Sequence, residues 1–339
     1  MELGVFSLSD INPDSGDTAA SRIDDIVEYG VLAEQHGLDV YGIGEHHSPA
    51  FAVSSPAVLH AAIARATRRI RLTTTASVLS VHDPVRVYQD FATLDLVSHG
   101  RAEIIAGRSA FVEPFALFGQ DVAQFDELYD ERLGLLLRIR DEERVTWSGR
   151  FRPALEDAPV APRASGQLPV WVAVGGTPSS AVRAGRLGLP MALGLIGGSI
   201  DHAKQLIELY RRAGSDAGHA DERLTVGITS HFYVGDTAGQ ALTDFYPYYR
   251  RYLSPETNGG RGWHVDEPSM RALAARRGAL MVGGPNEVIE KILDLQSQLG
   301  ADRFLGQVDL GGMPKQMVQG SIARFGDVVA PAVRHILSR

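Results

Sequence analysis

The chain has 339 residues, 44% of them hydrophobic and 22% charged, and a formal net charge of −8. This is an ordinary globular balance, and without a basic excess nucleic acid is not expected as the main partner. The sequence contains no cysteine, which excludes disulfides, thiolate metal sites and cysteine nucleophiles. No basic stretch leads into an apolar run at the start and no run of about eighteen apolar residues follows, so a cytoplasmic protein with no membrane partner is expected.

Residues 3–8 read as a short apolar strand, followed by a polar turn through Asn12, Pro13, Asp14, Ser15 and Gly16. Ile23, Ile26, Val27, Gly30 and Val31 recur at helical spacing until Gly37 stops the helix. A second strand runs to Glu45, with Val40, Gly42 and Gly44 on one face and Tyr41, Ile43 and Glu45 on the other. A helix over 57–67 precedes a third strand over 70–79, rich in Thr and Val. Pro84 suits a first helical position, and Val87, Phe91, Leu94 and Val97 form the buried stripe behind it. Residues 101–107 are the fourth strand, and Phe125, Leu128, Arg132, Leu135 and Ile139 mark the fourth helix. The stretch 147–151 reads as the turn of a small hairpin, and 153–167 as an extended loop.

Strand five spans 169–174, and Gly175-Gly176-Thr177-Pro178 opens a helix. Strand six spans 190–195, and a helix runs through Leu206 and Tyr210. Strand seven spans 224–234. Residues 236–280 then break the rhythm, with aromatics crowded at 245–252 and the run Asn258-Gly259-Gly260-Arg261-Gly262. Connections this long are often lids or insertions. The rhythm resumes at Met281, with a helix over 285–299, an eighth strand over 303–310 and a closing helix over 322–337. Eight strands alternating with helices predict a single-domain parallel (β/α)8 TIM barrel over 1–339, with an insertion between strand seven and helix seven. A doubly wound open sheet is disfavoured, because the first strand lacks a Gly-x-Gly-x-x-Gly turn.

In such a barrel the C-terminal ends of the strands carry the chemistry. Glu45, His46 and His47 fall at one such end. Two histidines there can simply cap a strand, but they share the rim with Arg108, the glycine turn and His82. Adjacent residues on an extended strand point to opposite faces, so His46 and His47 are poorly placed to bind one ion, and no metal site is expected. Arg108 ends strand four. It can pair with a nearby carboxylate or clamp an anion, since guanidinium offers a fork of donors. In Gly175-Gly176-Thr177-Pro178-Ser179-Ser180 two glycines turn, hydroxyls gather and a helix begins, which suits a phosphate. A plain capping turn uses the same residues. The small residues Thr74, Thr75, Ala76 and Ser77 would let a flat ring lie against the backbone. Phe51, Phe111 and Phe115 are candidates for an apolar pocket wall.

Taken together, the motifs Gly-Glu-His-His at 44–47, Ala-Ser-Val-Leu-Ser-Val-His-Asp-Pro at 76–84, Leu-Asp-Leu-Val-Ser-His-Gly-Arg at 94–101, Ala-Gly-Arg at 106–108 and Gly-Leu-Pro-Met at 188–191 resemble the bacterial luciferase-like flavin-dependent monooxygenases over nearly the full length. The resemblance implies that Arg108, Gly175, Gly176, Thr177 and Ser180 hold the phosphate of FMN. It implies that Thr75 and Ala76, often beside a non-proline cis peptide, support the flavin ring, and that Leu195 joins the cofactor contacts. His46 matches the family's catalytic histidine. Luciferase has a cysteine where this chain has Gly107 and an acidic residue where it has Gly176, so light emission is not implied.

The expected function is oxygenation of a small organic substrate by O2 and reduced FMN, the latter delivered by a separate flavin reductase, in a homodimer. The alternatives are a deazaflavin-dependent dehydrogenase on the same barrel, a non-catalytic flavin-binding subunit and a metal-dependent barrel hydrolase.

Overall fold

The computed structural model describes residues 1–254 and 262–339; of the glycine-rich run, Asn258–Arg261 lies outside them. β1 (Glu2–Ser7) leads to α1 (Ala19–Gln35). A reciprocal cap starts this helix: Thr18 Oγ1 accepts from the Ser21 N–H, and Ser21 Oγ accepts from the Thr18 N–H. β2 (Val40–Ile43) and α2 (Pro56–Ala66) follow. The third stave comes in two pieces, β3 (Arg71–Thr74) and β4 (Ser77–Val78), separated by the cis peptide Thr75–Ala76. α3 (Pro84–Ser98) begins at Asp83, whose carboxylate accepts the Val85 N–H at 2.8 Å.

β5 (Ile104–Gly107) is followed by the short α4 (Glu113–Leu117) and by α5 (Phe125–Asp141). β6 (Arg144–Trp147) and β7 (Leu155–Pro159) then form the expected hairpin, so part of the 153–167 stretch is a paired strand rather than a loop. The barrel resumes with β8 (Val170–Val174), α6 (Pro178–Arg186), β9 (Met191–Gly194), α7 (Ile200–Asp216) and β10 (Val226–Val234). Two helices occupy the described part of the long interruption, α8 (Ala238–Leu253) and α9 (Glu267–Ala274). The aromatics crowded at 245–252 have a structural reason: Phe245, Tyr249 and Tyr252 are buried, and the latter two rings meet His231 of β10. β11 (Met281–Gly283), α10 (Pro285–Leu299), β12 (Arg303–Gln307), α11 (Lys315–Arg324) and α12 (Ala330–Leu337) complete the chain.

The barrel staves are parallel and run in the order β1, β2, β3 with β4, β5, β8, β9, β10, β12, with β12 pairing back to β1. A parallel bridge from Leu72 to Ala102 ties the third stave to the fourth. β11 adds to β10 outside this path. Inside, Arg303 pairs with Glu103 and lies over the Trp171 ring at 4.2 Å, closing the bottom. Phe6, Leu8, Val40, Ile105, Ala192 and Leu305 fill the middle. A larger apolar shell lies between the strands and the helices. Burial of this shell is the main stabilising term. The top of the barrel, at the C-terminal strand ends, stays open.

Candidate active site

The open end is a cavity of about 500 Å³. Its walls come from the ends of β1, β2, β4, β5, β8, β9, β10 and β12 and from the segments after them. His46, Thr75, Ala76, Arg108, Gly175 and Thr177 all line it. Small residues at Ala76, Ser77, Gly107, Ala173 and Ala192 leave a broad flat wall. A Cβ on Gly107 would come within 3.0 Å of Ala76 Cβ, so glycine keeps that wall level. Phe51 and Phe111 line the cavity, but Phe115 does not: it is buried with Val78, Val81 and Leu128.

His46 is half-buried and stacks on Phe51, with Phe111 edge-on. His47, which like His46 lies beyond the end of β2 and lines the cavity, meets Glu45 instead of Phe51. Its Nε2 lies 2.8 Å from Glu45 Oε1, and His82 Nε2 lies 2.6 Å from the same oxygen. The Val78 N–H bonds the second carboxylate oxygen at 3.2 Å. Burial raises the Glu45 pKa, but the bonds from His47 and His82 outweigh it and bring it to about 2. Glu45 is therefore ionised, and each imidazole presents an N–H to it. These three residues are a cluster of potential metal ligands. Their spacing is that of hydrogen bonds, however. Ligands spread tetrahedrally at about 2.0–2.2 Å from an ion stand about 3.4 Å apart, wider than the 2.6 and 2.8 Å seen here.

The predicted phosphate turn lies between β8 and α6. Gly176 adopts φ +109°, a left-handed conformation that favours glycine. A Cβ on Gly175 would meet nothing within 4 Å, so the turn is open on that side. Gly176 and Ser180 stand behind the lining residues. The Ser180 N–H bonds the Thr177 carbonyl at 3.1 Å, and its buried Oγ has no partner among the described residues. Arg108 makes the expected carboxylate pair and also reaches the turn. Nη1 pairs with Asp126 at 2.5 Å, and Nη2 lies 3.5 Å from Thr177 Oγ1 at the turn. Arg183, one turn after Ser180, shares Asp126 and pairs with Asp130, and its Nη1 is buried without a partner among the described residues. Two guanidinium groups, a glycine turn, two hydroxyls and a helix start suit a phosphate group. The flat wall suits a ring system such as a flavin.

Leu195 departs from its expected place. It is buried in the core and its N–H bonds the Thr229 carbonyl, while its neighbour Ile196 lines the cavity. Sequence reading also left out Arg183, Thr229, Trp263 and Gln307. Trp263, from the insertion, stands at the mouth beside Gly197. Arg183 carried a signal, since it lies on the first turns of the helix that the glycine turn opens. Thr229 and Gln307 lie in stretches with no local motif.

The family profile of luciferase-like monooxygenases matches residues 1–303. The chain is 28% identical to 4-hydroxyprotoasukamycin monooxygenase of Streptomyces nodosus subsp. asukaensis, over 98% of this chain and 92% of that protein. It superimposes on monooxygenase RslO1 from Streptomyces bottropensis with a TM-score of 0.85 at 25% identity, covering 98% and 99% of the two chains. It shares its fold with the oxygenating constituent of 3,6-diketocamphane monooxygenase from Pseudomonas putida, solved in complex with FMN (TM-score 0.80, 20% identity, 98% of each chain). It also shares the fold of an F420-dependent secondary alcohol dehydrogenase (TM-score 0.75, 19% identity, 98% and 99% covered). With its parallel barrel and the matched residues 1–303, this chain belongs to the luciferase-like monooxygenase family.

Proposed function

We propose that this protein is the oxygenase component of a two-component flavin monooxygenase. A separate flavin reductase supplies reduced FMN, and a homodimer in the cytoplasm oxygenates a small organic substrate with O2. One observation carries the reading: a single cavity holds His46 on one side and the phosphate-type turn with Arg108 on another, joined by the flat wall at Thr75 and Ala76. When bound, reduced FMN supplies the electrons that activate O2.

The chain's own residues have four tasks. Arg108, Thr177, Ser180, Arg183 and the Gly175–Gly176 turn would hold the phosphate. Thr75, Ala76 and Gly107 give the ring a surface. His46 moves a proton at the reacting edge, because imidazole can give or take one near pH 7. The apolar rings of Phe6, Phe51 and Phe111 and the insertion's Trp263 keep water out, with the insertion acting as a lid. Proteins of this fold include both an FMN complex and an F420-dependent enzyme; the likeness to a monooxygenase over 98% of this chain supports FMN, since a deazaflavin serves hydride transfer and not oxygen chemistry.

His46→Ala tests the assignment. FMN affinity should stay within about twofold, while the rate at which O2 reoxidises the bound reduced flavin should change by about 10²-fold. A wild-type reoxidation rate in this variant would remove His46 from the chemistry.

A further inference from the structure

The far wall of the cavity carries a polar group that the tasks above do not use. Gln307 is the last residue of β12. Alternate residues of a strand face opposite sides. Phe304 packs outward against Phe232 and Phe325. Arg303 and Leu305 face the barrel interior, over Trp171 and beside Phe6 and Val40. Gln307 continues that inward series one layer higher and lines the cavity. It is fully buried, yet neither its amide nitrogen nor its amide oxygen has a partner among the described residues. A buried carboxamide with both ends unpaired is costly to keep, so its place on the cavity wall points to a ligand.

The strand order says which end of a ligand it meets. Arg108 directly follows β5, from which the path β8, β9, β10, β12 takes four steps around an eight-stave barrel, and the phosphate turn follows β8, three steps from β12. Gln307 is thus across the mouth from the phosphate residues. A molecule anchored there by its phosphate and laid across the mouth turns its far end toward Gln307. The pyrimidine ring of a flavin presents an N–H flanked by two carbonyls. A carboxamide offers a donor and an acceptor in one plane, the matching pattern. The hydroxyls of Thr75 and Thr229, also on the wall, are single groups and cannot make that pair.

We propose that Gln307 pairs with the imide edge of the flavin ring and so selects the cofactor's orientation in the cavity. The proposal rests on the flavin reading above. Its test uses binding and not turnover. FMN and FMN methylated at N3 are titrated into the wild type and into Gln307→Met, which keeps the volume and removes both polar atoms. In the wild type, N3-methylation should weaken binding by about tenfold or more. Gln307→Met should weaken FMN by a similar factor and lose the N3-methyl penalty. Its melting temperature without flavin should equal or exceed that of the wild type, because a buried unpaired amide has gone. Gln307→Glu, which keeps the shape but loses the donor when ionised, should also weaken FMN.

FMN affinity within twofold of wild type in Gln307→Met would overturn the proposal. So would an N3-methyl penalty that persists in the variant, or a lowered melting temperature, which would mark Gln307 as scaffold. Failure of the wild type to bind FMN at all would instead overturn the flavin reading, and this proposal with it.

Discussion

His46 lies flat against Phe51, with ring centroids 3.9 Å apart and planes 22° apart. Phe111 meets the imidazole edge-on at 5.2 Å, and the backbone N–H of His46 is tied to the Val53 carbonyl at 3.0 Å. The orientation of the proposed proton carrier is thus set by aromatic packing. Phe51→Leu keeps an apolar side chain but loses the stack, whose worth is about 0.5–1.5 kcal/mol. We predict a reoxidation rate altered by about tenfold with FMN affinity within twofold, read by stopped-flow absorbance. An unchanged rate would show that the stack does not position His46.

Glu45 gives a prediction on acid stability. Its pKa is lowered to about 2 from 4.5. A group depressed on folding contributes stability above its unfolded pKa, and that contribution is lost as pH falls through the folded value. The Glu45 contribution should therefore be whole above about pH 4.5 and fade toward pH 2. Glu45→Gln should destabilise the protein by about 1–3 kcal/mol at pH 7 and flatten the melting-temperature curve across that window. Calorimetry at a series of pH values checks it. An acid limb unchanged from wild type would contradict the hydrogen-bond account.

Arg108 shares its charge between Asp126 and the phosphate turn. Removing the competing carboxylate should free it. Asp126→Asn is expected to bind FMN more tightly by a few-fold, and Arg108→Gln to bind it at least about tenfold more weakly, as charge-assisted bonds are worth roughly 1.5–3 kcal/mol. Riboflavin, without the phosphate, should bind all three proteins alike. Equal losses for FMN and riboflavin in Arg108→Gln would place Arg108 elsewhere than at the phosphate.

A pair of carboxylates, Asp10 and Asp309, should act in the opposite pH direction. Asp10 and Asp309 face Arg22, and Arg22 Nη2 bonds Asp309 at 2.5 Å. Burial first, then the charge of Asp309, raises the Asp10 pKa to about 7, against the pull of Arg22 and the Gly311 and Gly312 amides. A raised pKa contributes stability that is present below the unfolded value and lost as pH climbs through the folded one. Asp10→Asn should remove this loss, so that its melting temperature falls less than the wild type's between about pH 4 and 8, from near the unfolded value of 3.8 to about a unit above the folded one. Parallel curves would refute the shift.

The barrel was legible because strand and helix periods alternate strictly and each turn is punctuated by glycine or proline. Where the chain departs from that code, sequence reading fell short. The third strand, read as one run over 70–79, is split at Thr75–Ala76; no residue type announces the break, although the family resemblance does imply the cis peptide found there. Leu195 and Ile196 are both apolar at a strand end, and only the backbone path decides which reaches the cavity. His82 joins Glu45 across 37 positions of sequence. Gln307 owes its role to barrel closure, which pairs β12 with β1 and turns its side chain inward. Glu45, His46, Arg108 and the glycine turn could be found because each lies where a strand ends.

The most direct measurement is an anaerobic titration of the protein with reduced FMN and with reduced deazaflavin, followed by mixing with O2. The account predicts tight binding of reduced FMN, weak binding of the deazaflavin, and reoxidation of the bound FMN at a rate distinct from that of free FMN. Preference for the deazaflavin, or bound FMN that O2 reoxidises just as it does free FMN, would contradict the oxygenase reading.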